Sequence, residues 1–125
     1  MELKIGDTVT AIYKTGQYYG EITRELENHF TVRVLAVKKH PMQGDLHHPK
    51  EADVPFFHER KALAYHEQAN VPKPMVKPYS ESIPDYRESL SQALSSLIES
   101  LEKENTPFAQ KSLACLINLK KEYFK

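Results

Sequence analysis

Five of the six histidines of this 125-residue chain, His40, His47, His48, His58 and His66, fall within residues 40–67. Imidazoles titrate near neutrality, ligate metals and shuttle protons, so such a cluster sets the chemical question for the whole chain. A structural zinc site pairs ligands a few residues apart with a second such pair. His47 and His48 are adjacent, and on an extended chain they point to opposite sides. His40, Asp45 and His58 complete a ligand set with one of them only if the segment folds back on itself. The chain has no Cys-x-x-Cys and no His-Glu-x-x-His. No metal and no cofactor is expected.

Acid–base chemistry by Asp45, Asp53 or Glu59 beside a histidine is open to the same residues. Aspartates in a loop serve equally as caps for turn backbones. The single cysteine, Cys115, lies in Leu-Ala-Cys-Leu-Ile, where a small buried apolar residue is the expected role. No serine occupies a Gly-x-Ser-x-Gly elbow, and the four glycines form no phosphate-binding loop. The residues point to a protein that is not an enzyme.

The elements that must position this segment are legible around it. Pro41, Gly44, Pro49 and Pro55 exclude one long helix or strand within it. Upstream, Val9, Ala11 and Tyr13 alternate with Thr8, Thr10 and Ile12, the period of a strand. Thr15-Gly16-Gln17 makes a turn, and residues 18–23 return as a second strand. After a turn at Glu27-Asn28, Phe30 to Val37 is rich in β-branched residues and reads as the strongest strand. Gly-Asp before the first strand and Gly-Glu-Ile in the second is how many SH3-like barrels begin. Ala62-Leu63-Ala64-Tyr65 is the expected closing strand, covering an edge otherwise exposed.

Pro72, Pro74, Pro78 and Pro84 mark residues 70–84 as an extended connector. The period then becomes helical. Tyr86, Leu90, Ala93, Leu94, Leu97, Ile98 and Leu101 form one stripe, with Ser82 and Asp85 as start signals and Glu104-Asn105 as the stop. Thr106-Pro107 opens a second helix with an apolar stripe of Ala109, Leu113, Leu116, Ile117 and Phe124, interrupted by Lys120. The expected fold class is mainly β plus α, an N-terminal SH3-like β-barrel followed by a C-terminal antiparallel helical hairpin. The division is residues 1–79, barrel with its long loop and connector, and residues 80–125, two-helix hairpin. The hairpin needs a cover for its stripes: the barrel, a partner, or a second copy in a homodimer.

The 17 basic and 17 acidic residues cancel. Before Ser80 the count is 11 basic to 10 acidic, and from Ser80 onward 6 to 7, so neither part is a charged tail. That balance argues against nucleic acid as a partner. The alternative reading keeps a nucleic-acid-binding barrel, with Tyr13, Lys14, Tyr18 and Tyr19 gathered at the first hairpin as aromatics beside cations. No apolar run reaches membrane-spanning length, no signal peptide is evident, and the expected location is the cytoplasm.

Of Phe56 and Phe57, adjacent after Pro55, one can plug the core while the other packs on the hairpin or stays exposed as an anchor. The runs V-L-A-V-K-K-H-P-M-Q-G-D-L-H-H-P and A-D-V-P-F-F-H-E-R-K-A-L-A-Y, with G-D-T-V-T-A-I-Y-K-T-G-Q-Y-Y-G-E and V-P-K-P-M-V-K-P-Y, resemble the kinase-associated protein B family of Bacillus-type bacteria. The resemblance implies an accessory protein supporting a membrane sensor histidine kinase that feeds the sporulation phosphorelay. It also implies an SH3-like barrel followed by a helical part. That family has been described as a lipoprotein, but this sequence has no amino-terminal lipid-accepting cysteine. The expected site is therefore a docking surface for the kinase's cytoplasmic portion. It comprises His40, Gln43, Asp45, His47, Phe57, His58 and Arg60, with Tyr18 and Tyr19, and no direct membrane insertion. The partner would bring the protein to the inner face of the membrane.

Overall fold

The computed structural model describes residues 2–125. Three strands follow the alternation of the sequence: β1 (Thr8–Tyr13), β2 (Gly16–Glu25) and β3 (His29–Lys39). Two short strands lie where the proline-rich connector was expected, β4 (Gln68–Pro72) and β5 (Val76–Pro78), joined by a 3₁₀ turn at Lys73–Met75. The strand order is β4-β3-β2-β1-β5, all neighbours antiparallel. β4 and β5 are the two edges, which is why Pro72 and Pro78 are tolerated in them. The hydrogen-bond ladder is open between these edges, so the sheet is not a closed barrel.

The closing strand expected at residues 62–65 does not form. Those residues form no ladder; β5 pairs with β1 in its place. Ala62 and Leu63 are held by side-chain hydroxyls instead.

Three register shifts between β2 and β3 curl the sheet. One lies at Gly20, where a Cβ would stand 2.6 Å from the Arg33 carbonyl oxygen and 2.5 Å from Val32. All five strands contribute to one apolar cluster, Val9, Ala11, Ile22, Phe30, Val32, Val71 and Val76.

Helix α1 (Tyr86–Glu102) starts at Asp85, whose carboxylate accepts the Glu88 N–H, and α2 (Pro107–Tyr123) starts at Thr106, whose hydroxyl accepts the Ala109 N–H. Leu90 and Ala93 of α1 pack on Tyr18, Val34 and Val37. At the free edge of β3 the Ser89 hydroxyl accepts the Val37 N–H at 2.9 Å, so the helix caps the edge that β4 does not reach. Leu94 and Leu101 meet Phe108, Ala109, Leu116 and Leu119 of α2 in a further core. The inward face of α2 is therefore turned from the expected stripe. Phe108, Ser112 and Leu119 are buried, while Ile117 is 51% exposed. Most of the two stripes is covered within one chain, by the sheet, the loop and the facing helix, with Ile117 left outside.

Candidate partner-binding loop

The segment between β3 and β4 is irregular in outline but held at three places. His40 holds the first. It is 4% exposed, with Nδ1 3.0 Å from the Pro41 carbonyl and Nε2 2.9 Å from the Tyr123 hydroxyl. A carbonyl only accepts, so Nδ1 carries the proton and Nε2 accepts from Tyr123. Burial pushes the His40 pKa down, and the bond to Pro41 offsets part of that.

Gln43, also 4% exposed, makes the second. Its Oε1 accepts the Arg60 N–H at 2.8 Å, and its Nε2 donates to the Arg60 carbonyl at 2.9 Å and to the Pro41 carbonyl at 3.1 Å. One side-chain amide thus satisfies a backbone residue as a neighbouring strand would. Arg60 Nε returns a bond to the Gly44 carbonyl at 2.7 Å, and the Gly44 N–H donates to His58 at 2.9 Å. Gly44 has φ +98°, and a Cβ there would stand 2.9 Å from the Phe57 ring. Only glycine meets both conditions.

Three tyrosines from three elements make the third. The Tyr123 hydroxyl of α2 accepts the Ala62 N–H at 2.9 Å, and the Tyr18 hydroxyl of β2 accepts the Leu63 N–H at 3.2 Å. The Tyr86 hydroxyl of α1 donates to the Leu63 carbonyl at 2.5 Å. Burial raises all three phenol pKa values, that of Tyr18 to about 12. The bonds from Leu63 and Ala62 offset part of the rise for Tyr18 and Tyr123.

Between these anchors the loop runs along α2. Lys111 Nζ donates to the Ala52 carbonyl at 2.8 Å, Asn118 Nδ2 donates to the Glu59 carboxylate at 2.8 Å, and Lys61 pairs with Glu122 at 2.9 Å. Phe57 sets its ring edge-on to Phe108, with centroids 5.8 Å apart, under the Lys111 ammonium. Asp45 caps the loop tip by accepting the His47 N–H at 2.9 Å.

The nine expected contact residues therefore divide. Tyr18, His40 and Gln43 point inward, and their place on a docking surface is withdrawn, because burial commits their polar atoms to the chain itself. Phe57 faces the hairpin, and Arg60 is half-buried with Nε spent on Gly44. His47 and His58 are exposed. Tyr19 lies elsewhere, against Tyr79 at 4.9 Å between ring centroids, on the face of β2 opposite Tyr18. Tyr18 and Tyr19 thus form no common stacking platform. The most exposed aromatic of the loop is Phe56, 71% accessible and stacked on the His58 ring at 5.9 Å; Tyr65, at 54%, is also exposed and stacks on His66 at 3.8 Å. Sequence reasoning did not choose Phe56 over Phe57, and it missed Tyr86 and Tyr123. The signal for the two tyrosines was their position at the outer ends of the helical stripes, where a ring can be buried with its hydroxyl still free to bond.

Among the described residues no three His, Cys, Asp or Glu side chains are grouped to hold a metal ion. The Cys115 thiol is half-buried, and burial and Glu59 push its pKa up, away from the thiolate. Among the described residues no helix is long and apolar enough to cross a membrane.

The fold and loop define a class: a small open-sheet protein with a helical hairpin that braces a long, internally bonded loop from behind. The chain belongs to the kinase-associated protein B family, whose model matches residues 13–124. It is 56% identical over 119 residues to Kinase-associated lipoprotein B of Bacillus subtilis (strain 168), covering 95% of this chain and 93% of that one. It also superposes on the crystal structure of kinase-associated protein B from Bacillus cereus with a TM-score of 0.83 and 44% identity, covering 98% of each chain.

Proposed function

We propose that the protein is a non-enzymatic accessory factor that binds the cytoplasmic portion of a membrane sensor histidine kinase in the sporulation phosphorelay. The kinase half of this reading is supported by the names of the relatives, both kinase-associated. The binding half is supported by one observation. The loop's inward polar groups are consumed in bracing it, while the Phe56 and His58 rings are left stacked and outward. An aromatic pair carried on a backbone already tied down loses less backbone entropy on docking, which favours an interface anchor. A protein that docks only on the active kinase shifts the kinase's conformational equilibrium towards that state.

In this proposal the sheet is an SH3-like barrel left open between β4 and β5. The shared apolar cluster of all five strands and the 3₁₀ turn joining the two edges support that reading. Division at residue 79 belongs to the same proposal, with residues 80–125 acting as the brace for the loop. A pull-down with the kinase's cytoplasmic fragment tests it. Phe56→Ala with His58→Ala is expected to weaken capture about 10-fold or more, as loss of an interface anchor does. Unchanged capture removes the loop from the mechanism, and no capture by the unaltered protein removes the kinase.

A further inference from the structure

Between α1 and the ends of β2 and β3 runs a groove made of two adjoining hollows, of about 450 and 190 Å³. They share Lys38, Ala93 and Ser96, so they form one channel. It runs from Tyr19 and Ser89 at one end to Met42 and Ser100 at the other. Ser89 to Ser100 spans about 16 Å along a helix, the length of roughly five residues of extended chain.

The lining has a definite chemistry. Met42, Ala93 and Leu97 supply apolar surface. Lys38 and Lys39 are the charged residues of the lining, and both are exposed. The four ion pairs among the described residues include neither lysine. None of the 17 acidic residues lines either hollow. In a chain of zero net charge this is a local excess of positive charge. Gln92, Ser96 and Ser100 line the channel and make no side-chain hydrogen bond to any described residue, so their polar groups are available.

We infer that this groove binds an acidic, extended peptide segment of a partner protein, with apolar side chains alternating between its carboxylates. The alternation places apolar groups on Met42, Ala93 and Leu97 and acids at Lys38 and Lys39. A single phosphate or sulfate uses the lysines but not the length of the floor. A nucleic-acid strand carries charge at every nucleotide and needs a longer row of cations than two. The groove shares no residue with the Phe56–His58 pair, so this inference stands apart from the kinase-docking reading.

The test uses the full chain, isotope-labelled, and a synthetic peptide of about six residues alternating glutamate and leucine, long enough to span the groove. The expected result is saturable shifts of the amides of residues 38, 39 and 92–100. Lys38→Glu with Lys39→Glu should weaken binding about 10-fold or more, and high salt should weaken it several-fold, because the lysines are solvent-facing. Ser96→Trp, which fills the channel without altering charge, should abolish the shifts and so separates groove binding from loose charge attraction. Shifts that survive Ser96→Trp, or that a lysine–leucine peptide produces equally, overturn the proposal. So do the same shifts on raising protein concentration alone, which assign the groove to a second copy. Stronger shifts with an oligonucleotide than with the peptide overturn it too.

Discussion

The His40 imidazole and the Tyr123 hydroxyl, 83 positions apart in the chain, sit 2.9 Å from each other in the interior. That one contact ties the first residue of the loop to the last turn of α2, and through the Ala62 N–H the same hydroxyl holds the far arm of the loop. Tyr123→Phe keeps the ring and removes both bonds, leaving His40 Nε2 and the Ala62 N–H unpaired. The expected loss is about 2–4 kcal/mol, from the cost of leaving buried polar groups unsatisfied. Urea unfolding of the two proteins measures it.

The same pair fixes a pH dependence. His40 holds its pKa below the ordinary 6.5 in the fold, so the unfolded chain takes up this proton first as pH drops. Its contribution to stability is therefore full above about pH 6.5 and declines as pH falls from there to the folded-state pKa, below which the loss is complete. Unfolding midpoints measured from pH 8 down to pH 5 should show this decline. His40→Asn should remove it, and an unchanged slope in that variant would transfer the effect to another group.

Gln43 and Gly44 govern the neck of the loop. Gln43→Ala leaves both backbone groups of Arg60 without their partner and is expected to cost about 2 kcal/mol. Gly44→Ala forces a β-carbon into the left-handed region and against Phe57, at a cost of about 1–3 kcal/mol. Hydrogen exchange distinguishes a local from a global effect. The amides of Gly44 and Arg60 should lose protection in Gln43→Ala while those of β2 and β3 keep theirs.

Phe56 and Phe57 are adjacent in sequence and opposite in role. Phe57→Ala removes a ring packed on Phe108 and should cost about 2 kcal/mol, less than a fully buried phenylalanine because the site is half-open. Phe56→Ala should change stability by less than about 0.5 kcal/mol, as exposed positions do. Thermal unfolding of the two variants separates them. The stable Phe56→Ala protein is then the proper reagent for kinase capture.

What could be read from the sequence was what is encoded locally. Asp85 and Thr106-Pro107 announce the helix starts through side chains that bond within three residues, and both caps form. The alternation of Val9 with Ala11 and the branched run from Phe30 fix β1 and β3, because a buried face imposes period two directly. β4 escaped notice because Gln-Ala-Asn-Val-Pro carries little apolar pattern. It is a strand by virtue of the β3 edge beside it. Ala62 to Tyr65 misled for the converse reason: in this apolar, strand-like run the backbone groups of Ala62 and Leu63 bond three distant hydroxyls in place of a ladder. Burial of His40 and Gln43 had no local signal. Each becomes an interior residue only because Tyr123 or the Arg60 backbone arrives from elsewhere to satisfy it.

The three hydroxyls on Ala62 and Leu63 also set an alkaline limit. Tyr18, Tyr86 and Tyr123 all hold their pKa values above the ordinary 10.0, Tyr18 at about 12, chiefly because burial disfavours the phenolate. The unfolded chain therefore loses these protons first as pH rises. Their contribution is intact below pH 10 and is lost as pH rises from there through each folded-state pKa, about 12 for Tyr18. Tyrosinate absorbance should show a cooperative phase in which these three rings ionise together with unfolding. In Tyr86→Phe, which leaves the Leu63 carbonyl unpaired, the cooperative phase should move to lower pH. A single smooth titration of all seven tyrosines, with circular dichroism unchanged through it, would mean that the three rings are open to solvent and do not pin the loop.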